Sequence, residues 1–245
     1  MAMNNNPWLN KAFTDQSLKN IDNKFAPQTA SQVDFLMKKM QLSTGDILLD
    51  LGCGAGRHAI EFALQGIRVT GVDISPKMLE EARKRTEIAG VNVDYRLCDL
   101  ALLGSLTLDN QSFNGAVCLC ESGIGVLGGE NSDFSFLKMV YDLLMPGAYF
   151  VLSCFNSIRR YIRSKDTNPH FDYINSTMKW RPNIEYDGEY LSEIQRQYTP
   201  SEIKLLLQLA GYIDIQVLSC ESGIFVDKPM GIEDIEMLVV AKKVD

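Results

Sequence analysis

The sequence is poor in histidine and has no excess of positive charge. It contains two histidines, His58 and His170, far apart in the chain, and its six cysteines form no C-x-x-C pair, so we expect no metal site. The formal net charge is −7, which argues against broad binding to nucleic acid or to an anionic membrane, because both need a positive surface. No apolar run is long enough to span a bilayer, and the first residues lack the pattern of a signal peptide. We therefore expect a cytoplasmic protein with reduced thiols and no membrane partner.

The composition is that of a globular protein with a sizeable core. Hydrophobic residues make up 46% of the 245 residues and charged residues 22%. This length predicts one compact domain with an insert. We place a polar N-terminal segment, irregular or helical, at residues 1–28 and the domain at residues 29–245. Residues 156–198 interrupt the regular pattern and are predicted to form an insert above the carboxyl ends of the strands.

Strand and helix patterns alternate from residue 29 onward. Continuous apolar runs such as "DILLDL" predict strands buried on both faces, and amphipathic segments between them predict helices. Ser75 and Thr199 each stand at the start of a helical pattern followed by proline, as N-caps do. Two strand patterns close the chain and can pair as a hairpin. The fold class predicted is α/β, with a mostly parallel sheet between helix layers.

The segment "LLDLGCGAGRHA" places glycines between a buried strand and a helix. Gly52, Gly54 and Gly56 permit positive φ and let a ligand approach the backbone, while the helix start points free N–H groups at the loop. Asp73 ends the next strand, where it can bind ribose hydroxyls. This context predicts a nucleotide-type site.

Two ligand classes compete for such a loop. A dinucleotide loop expects G-x-G-x-x-G, and here the third glycine comes one residue early. Asp50 beside the loop would repel a pyrophosphate but suits a ligand that carries an ammonium and a sulfonium charge. These two observations favour a sulfonium ligand over NAD.

At this point the motifs resemble the class I S-adenosylmethionine-dependent methyltransferases, of the small-molecule type. "LLDLGCGAGRHA" is similar to that family's first motif, "VTGVDISPKMLEEAR" to its ribose-binding segment and "YRLCDL" to its adenine-contacting segment. "FNGAVCLCESGI" and "LLMPGAYFVLSC" resemble the motifs of the fourth and fifth strands. The resemblance covers about residues 29–155 and resumes more weakly at "YTPSEIKLLLQLAGY". It implies a three-layer Rossmann-like sandwich with seven strands in the order 3-2-1-4-5-7-6, the last antiparallel.

The resemblance also implies roles for single residues with S-adenosylmethionine as cofactor. Asp50 and the loop from Gly52 to Gly56 would lie against the methionine part, and Asp73 would bind both ribose hydroxyls. Asp99 would bind the adenine amino group. The remaining implied cofactor contacts are Cys53, Ile74, Cys98, Leu100 and Glu121.

The acceptor side is less well determined by the sequence. Glu121, just past the fourth strand, and His170, in the insert, are the candidate catalytic groups, needed as a base only if the acceptor must lose a proton. Further acceptor-site candidates are Ser122, next to Glu121, and four residues of the insert, Asp172, Tyr173, Trp180 and Tyr198. The predicted partner is a small-molecule methyl acceptor. Methylation of RNA or protein, a nicotinamide-dependent oxidoreductase and a non-catalytic S-adenosylmethionine-binding module remain as alternatives, because fold alone names no substrate.

Overall fold

The computed structural model describes residues 26–106, 108, 112–120, 123–163, 171–180, 185–186, 189–190, 193–221 and 223–245. Their helices are α1 (Thr29–Lys39), α2 (Arg57–Leu64), α3 (Pro76–Ala89), α4 (Glu130–Leu143), α5 (Ser157–Arg163) and α6 (Pro200–Ala210), with 3₁₀ turns at Ala26–Gln28 and Leu100–Ser105. The strands of the main sheet are β1 (Ile47–Leu51), β2 (Arg68–Asp73), β3 (Val93–Leu97), β4 (Phe113–Cys118), β5 (Leu144–Phe155), β11 (Ile213–Glu221), β12 (Ile224–Pro229) and β13 (Glu236–Lys242). The short strands of the insert are β6 (Phe171–Asp172), β7 (Thr177–Trp180), β8 (Glu185–Tyr186), β9 (Glu189–Tyr190) and β10 (Glu193–Arg196).

The main sheet confirms the predicted strand order and corrects the predicted number. Its strands lie in the order β12-β11-β13-β5-β4-β1-β2-β3. Counted without β12, this is the expected order, and β13 runs antiparallel to both neighbours, as predicted for the last strand. The eighth strand, β12, adds an antiparallel edge beside β11. The prediction of seven strands was therefore one too few.

Helices cover both faces of this sheet, which gives the predicted three layers. In β1, Leu48 packs on one face, with Val33 of α1 and Phe62 of α2. Leu49 and Leu51 pack on the other face, in the cluster that contains residues of α4 and α6. Successive side chains of a strand point to opposite faces, so a strand covered on both sides needs apolar residues at nearly every position. The apolar run "ILLDL" meets that need everywhere except at Asp50.

The helix caps follow the local chemistry of the sequence. The Ser75 hydroxyl accepts the Met78 N–H at the start of α3, and Gly90 ends that helix with φ +68°. At α6, Thr199 and Glu202 form a reciprocal capping box. Proline and glycine at 146 and 147 predict a helix that stops there, but α4 already ends at Leu143. Strand β5 begins at once, with a register shift against β4.

The insert forms small antiparallel sheets attached to the loops beyond β4 and β5. Strands β6, β7 and β10 form one sheet, and β8 pairs with β9. The N–H of Arg196 donates to the Gly125 carbonyl after β4, and the N–H of Ser157 after β5 donates to the Tyr198 carbonyl. The described end of the insert therefore lies at the carboxyl ends of these two strands. Over the described residues, no helix combines the length and apolarity needed to cross a membrane.

Candidate active site

The glycine loop and the ends of β2 and β3 meet at one edge of the sheet. Parallel pairing of β1 with β2 and of β2 with β3 brings the carboxyl ends of all three strands together. The carbonyl of Val72 accepts the N–H groups of both Gly52 and Cys53, so the loop after β1 is bonded directly to β2. The glycine loop and the ends of β2 and β3 therefore lie side by side at the edge of the sheet where α/β folds bind ligands.

Positive φ angles shape the glycine loop, and one of its glycines faces open space. Gly52, Gly54 and Gly56 have φ angles of +73°, +55° and +78°. A Cβ on Gly56 would collide with the Tyr95 hydroxyl, so packing also requires that glycine. A Cβ on Gly54 would meet no atom within 4 Å. Gly54 therefore leaves room beside its backbone for a ligand to approach.

Asp73 organises the loop from the end of β2. Its Oδ2 accepts the Gly54 N–H at 2.7 Å and its Oδ1 accepts the Ser75 N–H at 2.8 Å. The side chain is buried, and burial raises the pKa of the carboxyl although these N–H groups lower it. Each carboxylate oxygen has a second lone pair, so the group can still accept hydrogen bonds from a ligand diol.

Asp50 is a buried acid with an unsatisfied oxygen. It is 2% exposed, and its Oδ2 has no hydrogen-bond partner. Burial raises the pKa of Asp50 to about 7, the nearby Arg57 lowers it and the nearby Asp73 raises it. A buried carboxylate of this kind is costly unless a cation pairs with it. The loop therefore fits a ligand that brings positive charge to Asp50.

Gln32 is a buried residue of this region that sequence reasoning missed. Its Oε1 accepts from Arg57 Nη1 and lies 2.8 Å from His58 Nε2, and its Nε2 donates to the Gly223 carbonyl. Burial lowers the pKa of His58, so the ring is neutral and donates to Gln32. Arg57 and His58 thus support neighbouring segments, as their position at the start of α2 suggests. The sequence feature that could have indicated Gln32 is its place as a polar residue on the apolar face of α1, which also carries Val33 and Leu36.

The predicted adenine-contacting residues lie at the end of β3. Asp99 is partly buried and its Oδ1 accepts the Ala101 N–H, which caps the 3₁₀ turn that follows. Leu100 is buried, whereas Cys98 and Ile74 are half-buried. Because β3 pairs with β2, the residues after β3 lie next to Asp73 and Ile74 at the end of β2, at the same edge of the sheet.

Both predicted catalytic residues, Glu121 and His170, lie outside the described residues, as does Ser122. The neighbouring Cys120 is described. Its backbone has φ +63°, its N–H donates to Ser153 Oγ at 2.8 Å and its sulfur lies 2.8 Å from Arg57 Nη2. The chain therefore leaves β4 in a sharp bend that is bonded to both β5 and α2.

The insert candidates have unequal access to an acceptor. The carboxylate of Asp172 accepts two backbone N–H groups and the Asn175 amide, and this bonding lowers its pKa, so it closes a turn. Tyr173 is exposed and belongs to an aromatic cluster with Tyr161 and Phe171. The side chain of Trp180 lies outside the described part. Of these candidates, Tyr173 is the one whose ring is both described and exposed.

Tyr198 connects the insert to the domain and is not open to an acceptor. It is 1% exposed, and its hydroxyl donates to Asp133 Oδ2 at 2.5 Å. Both oxygens of Asp133 also accept the Gly125 N–H. The Arg196 guanidinium lies 4.7 Å from the Tyr198 ring centroid. This buried cluster joins the loop after β4, α4 and the end of the insert.

Part of this chain is similar in sequence to a known protein family. Residues 48–147 match the family model described as "Methyltransferase domain". A demethylmenaquinone methyltransferase of Tropheryma whipplei is 28% identical over 178 residues, which cover 71% of this chain and 70% of that protein. A ubiquinone biosynthesis O-methyltransferase of Xylella fastidiosa is 38% identical over 125 residues, 51% of this chain and 48% of that protein.

A solved structure shares the fold across nearly the whole chain. The CcbJ methyltransferase of Streptomyces caelestis superimposes with a TM-score of 0.70 at 19% identity, covering 89% of this chain and 96% of that one. At this identity the likeness concerns the fold alone. The sequence match, by contrast, spans the glycine loop, β2, β3 and β4.

Proposed function

We propose that the chain is a class I S-adenosylmethionine-dependent methyltransferase that methylates a nucleophilic atom of a small molecule, because part of it matches a methyltransferase family model and its sequence relatives are methyltransferases. The observation that carries the cofactor assignment is the unpartnered, buried oxygen of Asp50 beside an open glycine loop. A dinucleotide would bring negative charge to that position, whereas S-adenosylmethionine brings an ammonium and a sulfonium.

The relatives support a small acceptor. The two sequence relatives are named for methylation in demethylmenaquinone and ubiquinone metabolism. The net charge of −7 is unfavourable for a nucleic-acid partner. RNA or protein methylation remains the alternative within this class, and we assign no oligomeric state.

We assign the cofactor contacts by their position at this edge of the sheet. Asp50 would hold the ammonium group, with Gly52 to Gly56 along the methionine part, and Asp73 would accept from the ribose hydroxyls. Asp99 would accept from the adenine amino group. The adjoining contacts are Cys53, Ile74, Cys98, Leu100 and, beyond the described residues, Glu121.

The residues of the chain mainly have to align the reactants and exclude water. When bound, the cofactor supplies a methyl group on a positively charged sulfur, whose charge disperses during transfer. Asp50, Asp73 and the loop would fix the donor, and the insert would cover the ends of β4 and β5. A base is needed only for an acceptor that must lose a proton, and Glu121 and His170 remain our candidates. All six cysteines are free of disulfides, which fits the proposed cytoplasmic location.

Calorimetry with three ligands tests the cofactor assignment. We expect binding of S-adenosylmethionine and S-adenosylhomocysteine but not of NAD. NAD binding without S-adenosylhomocysteine binding would contradict the assignment. A metabolite library incubated with labelled methyl donor then identifies the acceptor. Donor binding without transfer to any small molecule, RNA or protein would favour a non-catalytic module.

A further inference from the structure

Unsatisfied buried atoms are concentrated at one place in the insert. Six side-chain nitrogen or oxygen atoms are buried without a hydrogen-bond partner in the described part of the chain. Four of them belong to three residues of the insert: both amide atoms of Gln197, the hydroxyl of Ser157 and Nε of Arg159. Gln197 is 1% exposed and Ser157 is 0% exposed. An amide that is buried with neither end satisfied is strongly unfavourable, so it calls for a partner.

Backbone hydrogen bonds place Gln197 where three segments meet. Its own N–H donates to the Ser176 carbonyl in the insert, and the residue before it is bonded to Gly125 after β4. The residue after it accepts the N–H of Ser157 at the end of β5. Gln197 therefore lies at the carboxyl ends of β4 and β5, the edge where α/β folds bind substrates.

A backbone bridge brings the segments that carry Gln197 and Ser157 together. Asn156 and Tyr198 are paired in a parallel bridge, and Tyr198 turns inward to Asp133. The amide of Asn156 is used within the fold, because its Nδ2 donates to the Asp234 carbonyl and its Oδ1 accepts the Ile158 N–H. Gln197 and Ser157 are each the chain neighbour of one member of this bridged pair, so their backbones lie close together.

We propose that Gln197 and Ser157 recognise the methyl acceptor, and that the acceptor presents a neutral group that both donates and accepts hydrogen bonds. A carboxamide, or a hydroxyl beside a carbonyl, matches the two ends of the Gln197 amide and the hydroxyl of Ser157. A carboxylate would satisfy the amide N–H₂ but would bring its charge against the amide oxygen and lose its hydration. The inference rests on the proposed small-molecule methyltransferase function and adds the chemical class of the acceptor.

Stability measurements test whether Gln197 lacks a partner within the fold. Gln197→Met keeps the length of the side chain and removes both unsatisfied atoms. We expect it to raise the melting temperature of the S-adenosylhomocysteine complex by about 3 °C. The matched control is Gln195→Met, because Gln195 is also buried but already has an interaction partner. We expect that control to lower the melting temperature. A lower melting temperature for Gln197→Met as well would show that Gln197 is satisfied by the fold or by internal water, and would overturn the proposal.

Binding of two matched probes tests the chemical class. Salicylamide and salicylate share a ring and a hydroxyl, and differ in a neutral amide against a carboxylate. With S-adenosylhomocysteine bound, we expect calorimetry to show salicylamide binding at least about tenfold tighter than salicylate. We expect Gln197→Met to weaken salicylamide binding about tenfold and Gln195→Met to leave it unchanged. Equal binding of the two probes, binding of neither, or no effect of Gln197→Met would each contradict the proposal.

A second variant, Ser157→Ala, and the affinity for S-adenosylhomocysteine distinguish failure of the acceptor site from failure of the proposed function. Ser157→Ala removes one unsatisfied hydroxyl with little change of shape, and we expect weaker salicylamide binding without loss of stability. The affinity for S-adenosylhomocysteine should stay unchanged in both variants. If the parent protein does not bind S-adenosylhomocysteine, the proposed function itself is contradicted. If the cofactor binds and salicylamide affinity is unaltered in Ser157→Ala and Gln197→Met, only the acceptor site is contradicted.

Discussion

Asp73 accepts the backbone N–H of Gly54 at 2.7 Å, so the acid at the end of β2 holds the middle of the loop after β1. The same carboxylate accepts the Ser75 N–H that leads into α3. One side chain therefore fixes both the glycine loop and the start of the next helix. Any ligand diol that binds Asp73 also meets a loop already set in place by it.

Substituting Asp73 should weaken cofactor binding strongly. Asp73→Ala removes the proposed bonds to two ribose hydroxyls and the bond to Gly54. Charge-assisted hydrogen bonds contribute about 1.5–3 kcal/mol each, so we expect at least about a hundredfold loss of S-adenosylhomocysteine affinity by calorimetry. Asp94→Ala, at an exposed acid paired with Arg96, is the control and should bind like the parent. Parent-like binding by Asp73→Ala would refute the ribose assignment.

Alanine substitutions at two glycines with similar backbone angles should distinguish backbone strain from obstruction of the ligand. Gly54 and Gly90 have φ angles of +55° and +68°, and an added Cβ meets no atom at either. Alanine at either position should cost about 1–2 kcal/mol of unfolding free energy by denaturant titration. Only Gly54→Ala should also reduce S-adenosylhomocysteine affinity, because its methyl group enters the space left for the ligand. An equal loss of affinity in Gly90→Ala would contradict this.

Asp50 should make the empty protein less stable as pH rises. Its pKa is about 7 in the fold against an ordinary value of 3.8, so the folded state keeps a proton that the unfolded state releases between these values. The cost of Asp50 therefore grows from about pH 4 to pH 7 and is constant above, at up to roughly 4 kcal/mol. Asp50→Asn should be more stable than the parent by an amount that grows over this range, measured by urea unfolding. A difference independent of pH would contradict the burial effect.

The same carboxyl should link cofactor affinity to pH. A bound ammonium favours ionised Asp50, so binding below pH 7 releases a proton and affinity for S-adenosylhomocysteine should rise with pH, then level off above about 7. Calorimetry in buffers of different ionisation enthalpy counts that proton. Asp50→Asn should bind more weakly and release fewer protons. A parent protein whose proton release matches that of Asp50→Asn would show that the ligand amine lies elsewhere.

Tyr198→Phe should loosen the attachment of the insert. It removes the hydroxyl that donates to Asp133 and leaves that buried acid with the Gly125 N–H. A hydrogen bond to a charged group contributes about 1.5–3 kcal/mol, and we expect a stability loss of that size together with faster hydrogen exchange at Gly125. Tyr95→Phe, whose hydroxyl contacts the neutral Thr86, should cost about 1 kcal/mol. Unchanged hydrogen exchange at Gly125 in Tyr198→Phe would show that the Tyr198 hydroxyl does not hold the loop after β4 in place.

Much of the fold could be predicted because its signals are local. The run around Leu48 marks a strand buried on both faces, and Ser75 and Thr199 mark helix starts through bonds that span three residues. Motif order supplied the strand order. The edge strand β12 was missed because its apolar run is only three residues long, Ile224 to Val226, and Asp, Lys and Pro follow, which is too short a run to mark a core strand.

The residues of the candidate site could be predicted only where they lie close together in the sequence. The glycines and Asp73 stand close together in sequence, so their roles could be inferred from spacing. Gln32 acts through partners 25, 26 and 191 residues away, and no local pattern reports such contacts. Gln197 is similar, because its surroundings come from three separate segments.

The bond between Gln32 and the Gly223 carbonyl has a consequence for how the protein is made. Its two partners are 191 residues apart, so the support beneath the glycine loop closes only after most of the chain has left the ribosome. Earlier in synthesis, Asp50 and Asp73 lie beside a loop that is not yet supported by this hydrogen bond. Competence to hold the donor therefore arises late in the life of the nascent chain, once its last strands have docked.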